Sequence, residues 1–294
     1  MIEGYAPVIT SFNNIRNISA VFKEGNVKNF EIKLDRCGKD IMFLTCKACG
    51  LFHARRKRCN NRFCETCARS LSKRAKGGIS EIVKKRCLWQ RKSRHKLKFI
   101  TLTCENFPVE KVLWGLEHLN KWFSNLVRRK VWKGKIKGFL KRIEVTRGQD
   151  GNYHLHIHVL AEGSFIEQAD LSANWENILS RHGWKGVVVD IREVKGITKA
   201  IKEISKYCFK PNGLELEDKA FLSKVFNHRR LYSFGGVWID CLKEFGIDDL
   251  GDDKGFACIC GSRSFKYMFD YVDFERLENW KEYLGGYIFI PDTS

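Results

Sequence analysis

The sequence predicts an α+β fold that contains an antiparallel β-hairpin, further strands and several helices, preceded by a small cysteine-rich module. Three observations predict it. Two β-rich runs flank the turn-rich "RGQDGN" and indicate an antiparallel hairpin. Segments with apolar residues at helical spacing surround this hairpin. Two CxxC pairs lie upstream, as in a zinc-ribbon-like module.

The bulk composition indicates a polyanionic partner. The chain has 294 residues, is 44% hydrophobic and carries a formal net charge of +19. This is enough apolar material for one large domain or two smaller ones. The charge favours binding to nucleic acid. The alternative is a protein that is basic without a nucleic-acid function.

The N-terminal "MIEGYAPVIT" lacks the basic and apolar regions of a secretory signal. No apolar run approaches the roughly 18 residues of a membrane span. We therefore expect a cytoplasmic protein with no membrane partner. Its thiols should be reduced, so the 12 cysteines indicate metal binding rather than disulfides.

The elements follow in a simple order. "LKFITLTCEN" alternates as a strand, and residues 107–130 predict an amphipathic helix on Val112, Leu116, Leu119 and Phe123. After the hairpin come a helix ending at Gly183, the strand "GVVVDIREV" and a helix over 196–213. "GIDDLGDDKG" predicts an exposed acidic loop. The predicted units are an unclear segment (1–36), a cysteine-rich module with a basic helix (37–92), the sheet domain (93–212) and a C-terminal extension (213–294).

The cysteine pairs predict one structural zinc site. "CKAC" supplies Cys46 and Cys49, and "CETC" supplies Cys64 and Cys67. Two such turns place four thiolates around a tetrahedral Zn²⁺. Other nearby ligands can replace one of the four or complete a second site: Cys59, Cys37 and His53. The closely spaced Cys258 and Cys260 are interpreted as packing residues.

The segment "HARRKR" lies between the two cysteine pairs. We expect Arg55, Arg56 and Lys57 to be displayed on a loop of the metal module and to contact DNA phosphates. The alternative is a solvated run of charge.

The stretch "NYHLHIHVLAEG" places histidines at every second position. Side chains alternate across a strand, so His154, His156 and His158 share one face. Imidazoles at i and i+2 can clamp a metal, and Glu144 on the other arm of the hairpin can add a carboxylate. Such a site with open positions suits Mn²⁺ or Mg²⁺ acting on a phosphate. The alternative is a solvated histidine face.

The helix "AIKEISKYCFK" holds a candidate nucleophile. Glu203 and Tyr207 are four residues apart and share a face, and a row of lysines has the same spacing, at Lys202, Lys206 and Lys210. A phenol beside a carboxylate and cations suits attack on a phosphate. The alternative is a solvent-facing helix surface.

In their order these motifs resemble the replication initiators of small bacterial rolling-circle plasmids, in the HUH endonuclease superfamily. The resemblance covers about residues 37–245. It is carried by "CNNRFCETC", "FITLTCEN", "GFLKRIEVT…YHLHIHVL", "EISKYCFK" and "RLYSFGGVW". Leu155 stands where many members have proline.

The resemblance implies an HUH-type fold, a central antiparallel sheet with helices on one side. It implies that His156 and His158 hold the divalent ion and that Tyr207 attacks an origin DNA phosphate. Tyr207 would stay linked to the 5′ end and leave a 3′-OH for a host DNA polymerase. Glu203 matches the glutamate that serves the closing step, and His154 has a less certain role. No GxxxxGK[ST] motif occurs, so unwinding is expected from a host helicase.

Two other functions remain open at this point. A single-strand DNA transposase of the same superfamily would share the zinc module and the histidine strand. A non-catalytic zinc-ribbon DNA-binding protein would explain the charge and the cysteines but not the histidines.

Overall fold

The computed structural model describes residues 24–90, 96–186, 188–206, 213–227, 229–230, 232–244 and 257–271. The helices in these ranges are α1 (Glu24–Asp35), α2 (Glu65–Gln90), α3 (Val112–Arg128), α4 (Lys130–Lys133), α5 (Gln168–Ser180), α6 (Ile197–Ile204), α7 (Leu216–Val225) and α8 (Val237–Glu244). The strands are β1 (Ile41–Cys46), β2 (Phe52–Arg56), β3 (Lys96–Thr103), β4 (Ile136–Arg147), β5 (Tyr153–Gly163), β6 (Val189–Glu193), β7 (Tyr232–Gly236) and β8 (Phe265–Tyr271).

The larger sheet confirms the predicted α+β class. It has five strands in the order β6-β3-β5-β4-β7, and all neighbours pair antiparallel. The predicted hairpin is formed by β4 and β5, which the turn containing Gly151 connects. The odd residues of β5 are apolar and fully buried, which fixes the register because a slip by one residue would expose them.

Helices pack against both faces of the larger sheet. On one face, Phe123 of α3 lies edge-on to Phe139 of β4, with ring centroids 5.5 Å apart. On the other face, Trp238 of α8 lies against Gly138, where a Cβ would meet the indole at 2.2 Å. The expectation of helices on one side only, which came from the family resemblance, is therefore wrong for this chain.

The four predicted core positions of α3 are all buried, which confirms the amphipathic helix. α2 continues through Gly77 and Gly78 to Gln90. Its apolar residues Ala75, Ile79 and Ile82 are fully buried, and this packing outweighs the low helix propensity of glycine.

The smaller sheet has three strands in the order β2-β1-β8 and brings the two ends of the described chain together. β8 pairs with β1 from Ile41↔Tyr271 to Cys46↔Phe265. β7 joins the larger sheet beside β4. The described part of the predicted C-terminal extension thus contributes β7 to the larger sheet and β8 to the smaller sheet.

The predicted acidic loop, residues 246–255, lies outside the described residues. Among the helices that the structure describes, none is long and apolar enough to cross a membrane.

Candidate functional site

The three histidines of β5 lie on one face of the larger sheet. Glu144 of β4 is the register partner of His156, and Arg142 is the partner of His158. Residues that face each other across neighbouring strands project to the same side. The carboxylate and the imidazoles therefore line one surface, as the sequence pattern predicts, with the apolar side of β5 in the core.

His158 makes the closest contact to the carboxylate. Its Nε2 lies 2.9 Å from Oε2 of Glu144, and its Nδ1 lies 3.2 Å from Oγ1 of Thr101. The ring of His156 is nearly parallel to it, at an angle of 7° with centroids 5.9 Å apart. Nε2 of His156 lies 3.2 Å from Oγ1 of Thr146. Both rings are thus oriented by neighbouring strands.

His154 belongs to a different set of contacts. Its Nδ1 is hydrogen-bonded to Oδ1 of Asn106, whose amide also donates to Asp150 at 3.0 Å. Burial lowers the pKa of His154, which favours the neutral ring. His154 is therefore held by the loop after β3 rather than by Glu144.

The Glu144 carboxylate is ionised at neutral pH. Its burial raises the pKa, but the hydrogen bond with His158 and the charge of Arg142 outweigh this and lower the pKa to about 2. The Arg142 guanidinium donates to Oε2 at 2.7 Å and is itself only 1% exposed. The carboxylate is available as an anionic ligand, as a divalent cation requires.

Two of the donors on this face, which are hydrogen-bonded to each other, lie as close together as two ligands of a small divalent cation. Two ligands in neighbouring positions of an octahedron, each about 2.1 Å from the ion, lie about 3.0 Å apart. The separation of 2.9 Å between His158 Nε2 and Glu144 Oε2 agrees with this. Among the described residues, groups of three or more possible metal ligands whose ligand atoms all lie within 4.8 Å of one another occur only at the cysteines.

The helix of the predicted nucleophile is shorter than the sequence suggests. α6 ends at Ile204, whereas the spacing argument needed a helix that continues beyond residue 207. The carbonyl of Ser205 accepts hydrogen bonds from the hydroxyls of Ser72 and Tyr232. Tertiary contacts therefore fix the chain where the helix was expected to continue. Tyr207 and Lys210 lie outside the described residues.

The segment before Tyr207 lies on the histidine side of the sheet. Tyr232 donates to the carbonyl of Lys206 at 3.3 Å. Tyr232 is also the register partner of Arg142, which in turn faces His158. Tyr232 was not among the predicted site residues, and its place in "RLYSFGGVW" was the available signal.

The other predicted residues on α6 and directly after it lie at the surface. Lys202 and Lys206 are exposed. Glu203 is 43% exposed and forms an ion pair of 2.6 Å with Lys206. The carboxylate is thus engaged with the lysine three residues later.

The cysteines form two quartets instead of the predicted one. The first cysteine quartet is Cys37, Cys59, Cys64 and Cys67, and the second cysteine quartet is Cys46, Cys49, Cys258 and Cys260. The two CxxC pairs therefore lie in different clusters, and Cys258 and Cys260, interpreted from the sequence as packing residues, belong to one of these clusters. The physical reason is the pairing of β8 with β1, which brings the second pair of thiols to the turn between β1 and β2.

The basic residues of "HARRKR" lie on and directly after a strand rather than on a loop. Arg55 and Arg56 belong to β2, and Lys57 follows it. Arg56 and Lys57 are exposed, whereas Arg55 is half-buried. Nη1 of Arg56 donates to the carbonyl of Gly38 at 3.1 Å. The predicted loop is therefore wrong, since Arg55 and Arg56 lie on a strand. Contact of these residues with DNA phosphates stays a prediction.

Residues 51–263 match the model of the Rep_1 family, described as a replication protein. Similar proteins are called Protein rep. One from Streptococcus pneumoniae serotype 2 (strain D39 / NCTC 7466) is 28% identical over 253 residues, which cover 79% of this chain and 78% of that protein. One from Lentilactobacillus hilgardii is 24% identical over 214 residues, which cover 65% and 68%. No solved structure matches.

Proposed function

The chain belongs to the Rep_1 family of replication proteins, and from this premise we propose that it initiates rolling-circle replication of a plasmid by nicking one DNA strand at the origin. Its relatives carry the name Protein rep, which agrees with this role. The net charge of +19 suits binding to origin DNA in double-stranded and single-stranded form.

One observation carries the nicking proposal. An ionised carboxylate and two imidazoles project from neighbouring strands to one face, with His158 and Glu144 already at the separation of two metal ligands. We propose that His156, His158 and Glu144 hold Mn²⁺ or Mg²⁺, while His154 orients the loop after β3 through Asn106. The bound ion would polarise the scissile phosphate and offset the charge that develops on it.

Tyr207 is proposed as the nucleophile. Its phenolic oxygen forms a bond to phosphorus, the bond from phosphorus to the 3′-oxygen breaks, and the 3′-oxygen leaves as the hydroxyl after taking up a proton. A phenol with a reference pKa of about 10 needs cations nearby to ionise near neutral pH. Lys202 and Lys206 are exposed on the same segment. The hydrogen bond from the Tyr232 hydroxyl to the carbonyl of Lys206 lies on the histidine side of the sheet, which supports Tyr207 as the nucleophile.

The closing step is proposed for Glu203. A carboxylate near the attacked phosphate can orient a water molecule and take its proton, which ends replication without a second covalent adduct. The ion pair with Lys206 places a cation beside this carboxylate. A host helicase would unwind the duplex, and a host polymerase would extend the 3′-OH.

A structural zinc ion is proposed at the first cysteine quartet. Its thiols approach as closely as 3.4 Å between Cys37 and Cys67 and 3.7 Å between Cys59 and Cys67. This quartet lies at the start of α2, because Cys64 directly precedes that helix and Cys67 lies in its first turn. The ion would fix the helix start relative to α1 and β1.

The experiment that tests this function is Tyr207→Phe, which removes only the attacking oxygen. Supercoiled plasmid carrying the origin is incubated with the protein and Mn²⁺, and nicking and covalent attachment are measured. We expect both to be abolished while DNA binding stays within about twofold, since one hydroxyl contributes little to phosphate affinity. Tyr271→Phe is the matched control and should nick as the unchanged protein does.

Nicking by Tyr207→Phe at the normal rate would exclude this tyrosine from the mechanism. If neither the unchanged protein nor any variant nicks while all bind the origin, the protein is a non-catalytic DNA-binding protein instead.

A further inference from the structure

The second cysteine quartet has no part in the nicking reaction. Cys46 and Cys49 come from the turn between β1 and β2, and Cys258 and Cys260 come from the turn before β8, more than 200 positions later in the chain. The four sulfur atoms nevertheless lie within 4.8 Å of one another. The fold therefore brings together thiols that the sequence keeps far apart.

The distances between sulfur atoms favour a metal shell over a disulfide. Cys46 and Cys260 are 3.6 Å apart, and Cys49 and Cys258 are 3.5 Å apart. A disulfide requires about 2.05 Å. Sulfur atoms bound to one tetrahedral Zn²⁺ at about 2.3 Å lie about 3.8 Å from each other. The observed separations are close to the second value.

Burial does not explain the cluster. Cys49 and Cys260 are exposed, whereas Cys46 and Cys258 are buried. Thiols that met only through packing would all be drawn into the core. Half of this quartet instead projects from surface turns toward a common centre, as ligands do.

The two turns have the same backbone design. In each, a glycine directly after the second cysteine has a positive φ, 72° at Gly50 and 83° at Gly261. The amide of each glycine donates to the carbonyl of the first cysteine of its turn, at 2.9 Å and 2.8 Å respectively. A side chain at either glycine would be strained in this conformation. The CxC turn is therefore built like the CxxC turn despite its shorter spacing.

Backbone amides are directed at the sulfur atoms. The amides of Cys49 and Ala48 donate hydrogen bonds to the sulfur of Cys46. The amide of Cys260 likewise bonds Cys258. Nε2 of the buried His53 lies 3.2 Å from Cys258 Sγ. Such donors stabilise thiolates and orient them around a metal.

We propose that the second cysteine quartet binds a structural zinc ion of its own, distinct from the ion proposed at the first quartet. This ion ties β8 to the hairpin β1–β2 and so closes the smaller sheet. The N-terminal and C-terminal parts of the described chain would then fold as one metal-stabilised unit.

Zinc content of the full chain tests the proposal. The protein and its variants are purified without chelator, and zinc per chain is measured by inductively coupled plasma mass spectrometry. Cys260→Ser and Cys49→Ser each remove one exposed ligand and leave the core unchanged. We expect about two ions in the unchanged protein and about one in either variant. Cys59→Ser, which changes the first quartet, should also lose about one zinc ion per chain.

Cys241→Ser is the matched control, because Cys241 is a cysteine of α8 that belongs to neither quartet. It should retain the full zinc content. A second readout is trypsin cleavage after Arg263 and Lys266, which should accelerate at least tenfold in Cys260→Ser but not in Cys241→Ser, because released β8 no longer protects its backbone.

The proposal is overturned if Cys260→Ser and Cys49→Ser keep the zinc content of Cys241→Ser, or if either loses both ions. These outcomes are independent of nicking, since failure of Tyr207 as the nucleophile would leave the zinc content unchanged.

Discussion

His158 has hydrogen-bonding partners on both ring nitrogens, and the two partners differ in what they can do. Thr101 can donate to Nδ1 or accept from it, whereas the ionised Glu144 can only accept. In the arrangement seen here Nε2 carries the proton toward Glu144. A cation at Nε2 requires the other tautomer, and the threonine hydroxyl permits it by turning to accept from Nδ1.

Glu203 offers a test at this scale. Glu203→Gln keeps the shape of the side chain but removes the base, so nicking by Tyr207 should continue while the yield of finished single-stranded circles falls at least tenfold. The measurement is a termination assay on a plasmid with two origin copies. Lys199→Gln is the control, as it alters an exposed charge on α6 without affecting the carboxylate.

The alternative is that Glu203 only pairs with Lys206, an interaction of about 0.2–0.5 kcal/mol. Normal circle yield from Glu203→Gln would establish this alternative.

Lys141 is a second residue whose effect can be measured, through the pH dependence of the free energy of unfolding. It is 6% exposed, its Nζ bonds Oδ1 of Asn120, and it lies 5.1 Å from the ring centre of Phe123. Burial lowers its pKa to about 8. Between this value and its unfolded pKa of about 10.4, the unfolded chain binds more protons, so the free energy of unfolding contributed by this group rises with pH.

Lys141→Met should therefore raise the free energy of unfolding at pH 7 by about 1–3 kcal/mol, and the gain should shrink by pH 10. Urea denaturation at both pH values measures it. Lys137→Met, at an exposed position of the same strand, should show no such change. An equal effect of Lys141→Met at both pH values would contradict the buried charge.

At the scale of elements, Glu162 joins two helices to the larger sheet. Its carboxylate at the end of β5 accepts two hydrogen bonds from Arg86 of α2, at 2.8 and 2.6 Å. It also accepts one from Nε1 of Trp238 of α8, at 2.9 Å. The side chain is 2% exposed. Burying this charge is tolerable because both helices supply donors.

Arg86→Met should lower the free energy of unfolding by about 3 kcal/mol, since it leaves a buried carboxylate without its cation. Chemical denaturation measures the loss. Adding Glu162→Gln should restore part of it, because the buried charge is then gone. Lys84→Met removes the exposed ion pair with Glu81 on the same helix. It should lower the free energy of unfolding by only about 0–1 kcal/mol. Similar costs for Arg86→Met and Lys84→Met would contradict the role of Glu162.

At the scale of the whole molecule, the charge of +19 should appear in the salt dependence of DNA binding. Each phosphate contact contributes about −0.9 to the slope of log K against log salt. Changing Arg55, Arg56 and Lys57 together to Gln should reduce the slope by about 1.8, because only two of the three are exposed. Affinity is measured by fluorescence anisotropy at several salt concentrations.

The double variant Lys28→Gln/Lys33→Gln is the control for net charge, as both lysines lie on α1 rather than on β2. It should change the slope much less. If the triple variant and this control have the same slope, the end of β2 does not contact DNA.

Much of the fold follows from local pattern. The alternation of β5 places imidazoles on one face and Leu155, Ile157 and Val159 in the core, and the turn residues before it determine the hairpin. Glu144 could be assigned opposite His156 for the same reason. These features depend on residues close together in the chain, whose geometry the backbone period fixes.

By itself the sequence determined the strand of histidines, its carboxylate partner, the amphipathic helix α3 and the order of motifs that identifies the family. Only the tertiary structure decided which cysteines meet, where α6 ends and that residues after 212 complete both sheets. Cys49 and Cys258 are 209 positions apart, and Ser205 is held by Ser72 from a distant helix. Contacts of this range depend on how the whole chain packs, and no local spacing encodes them.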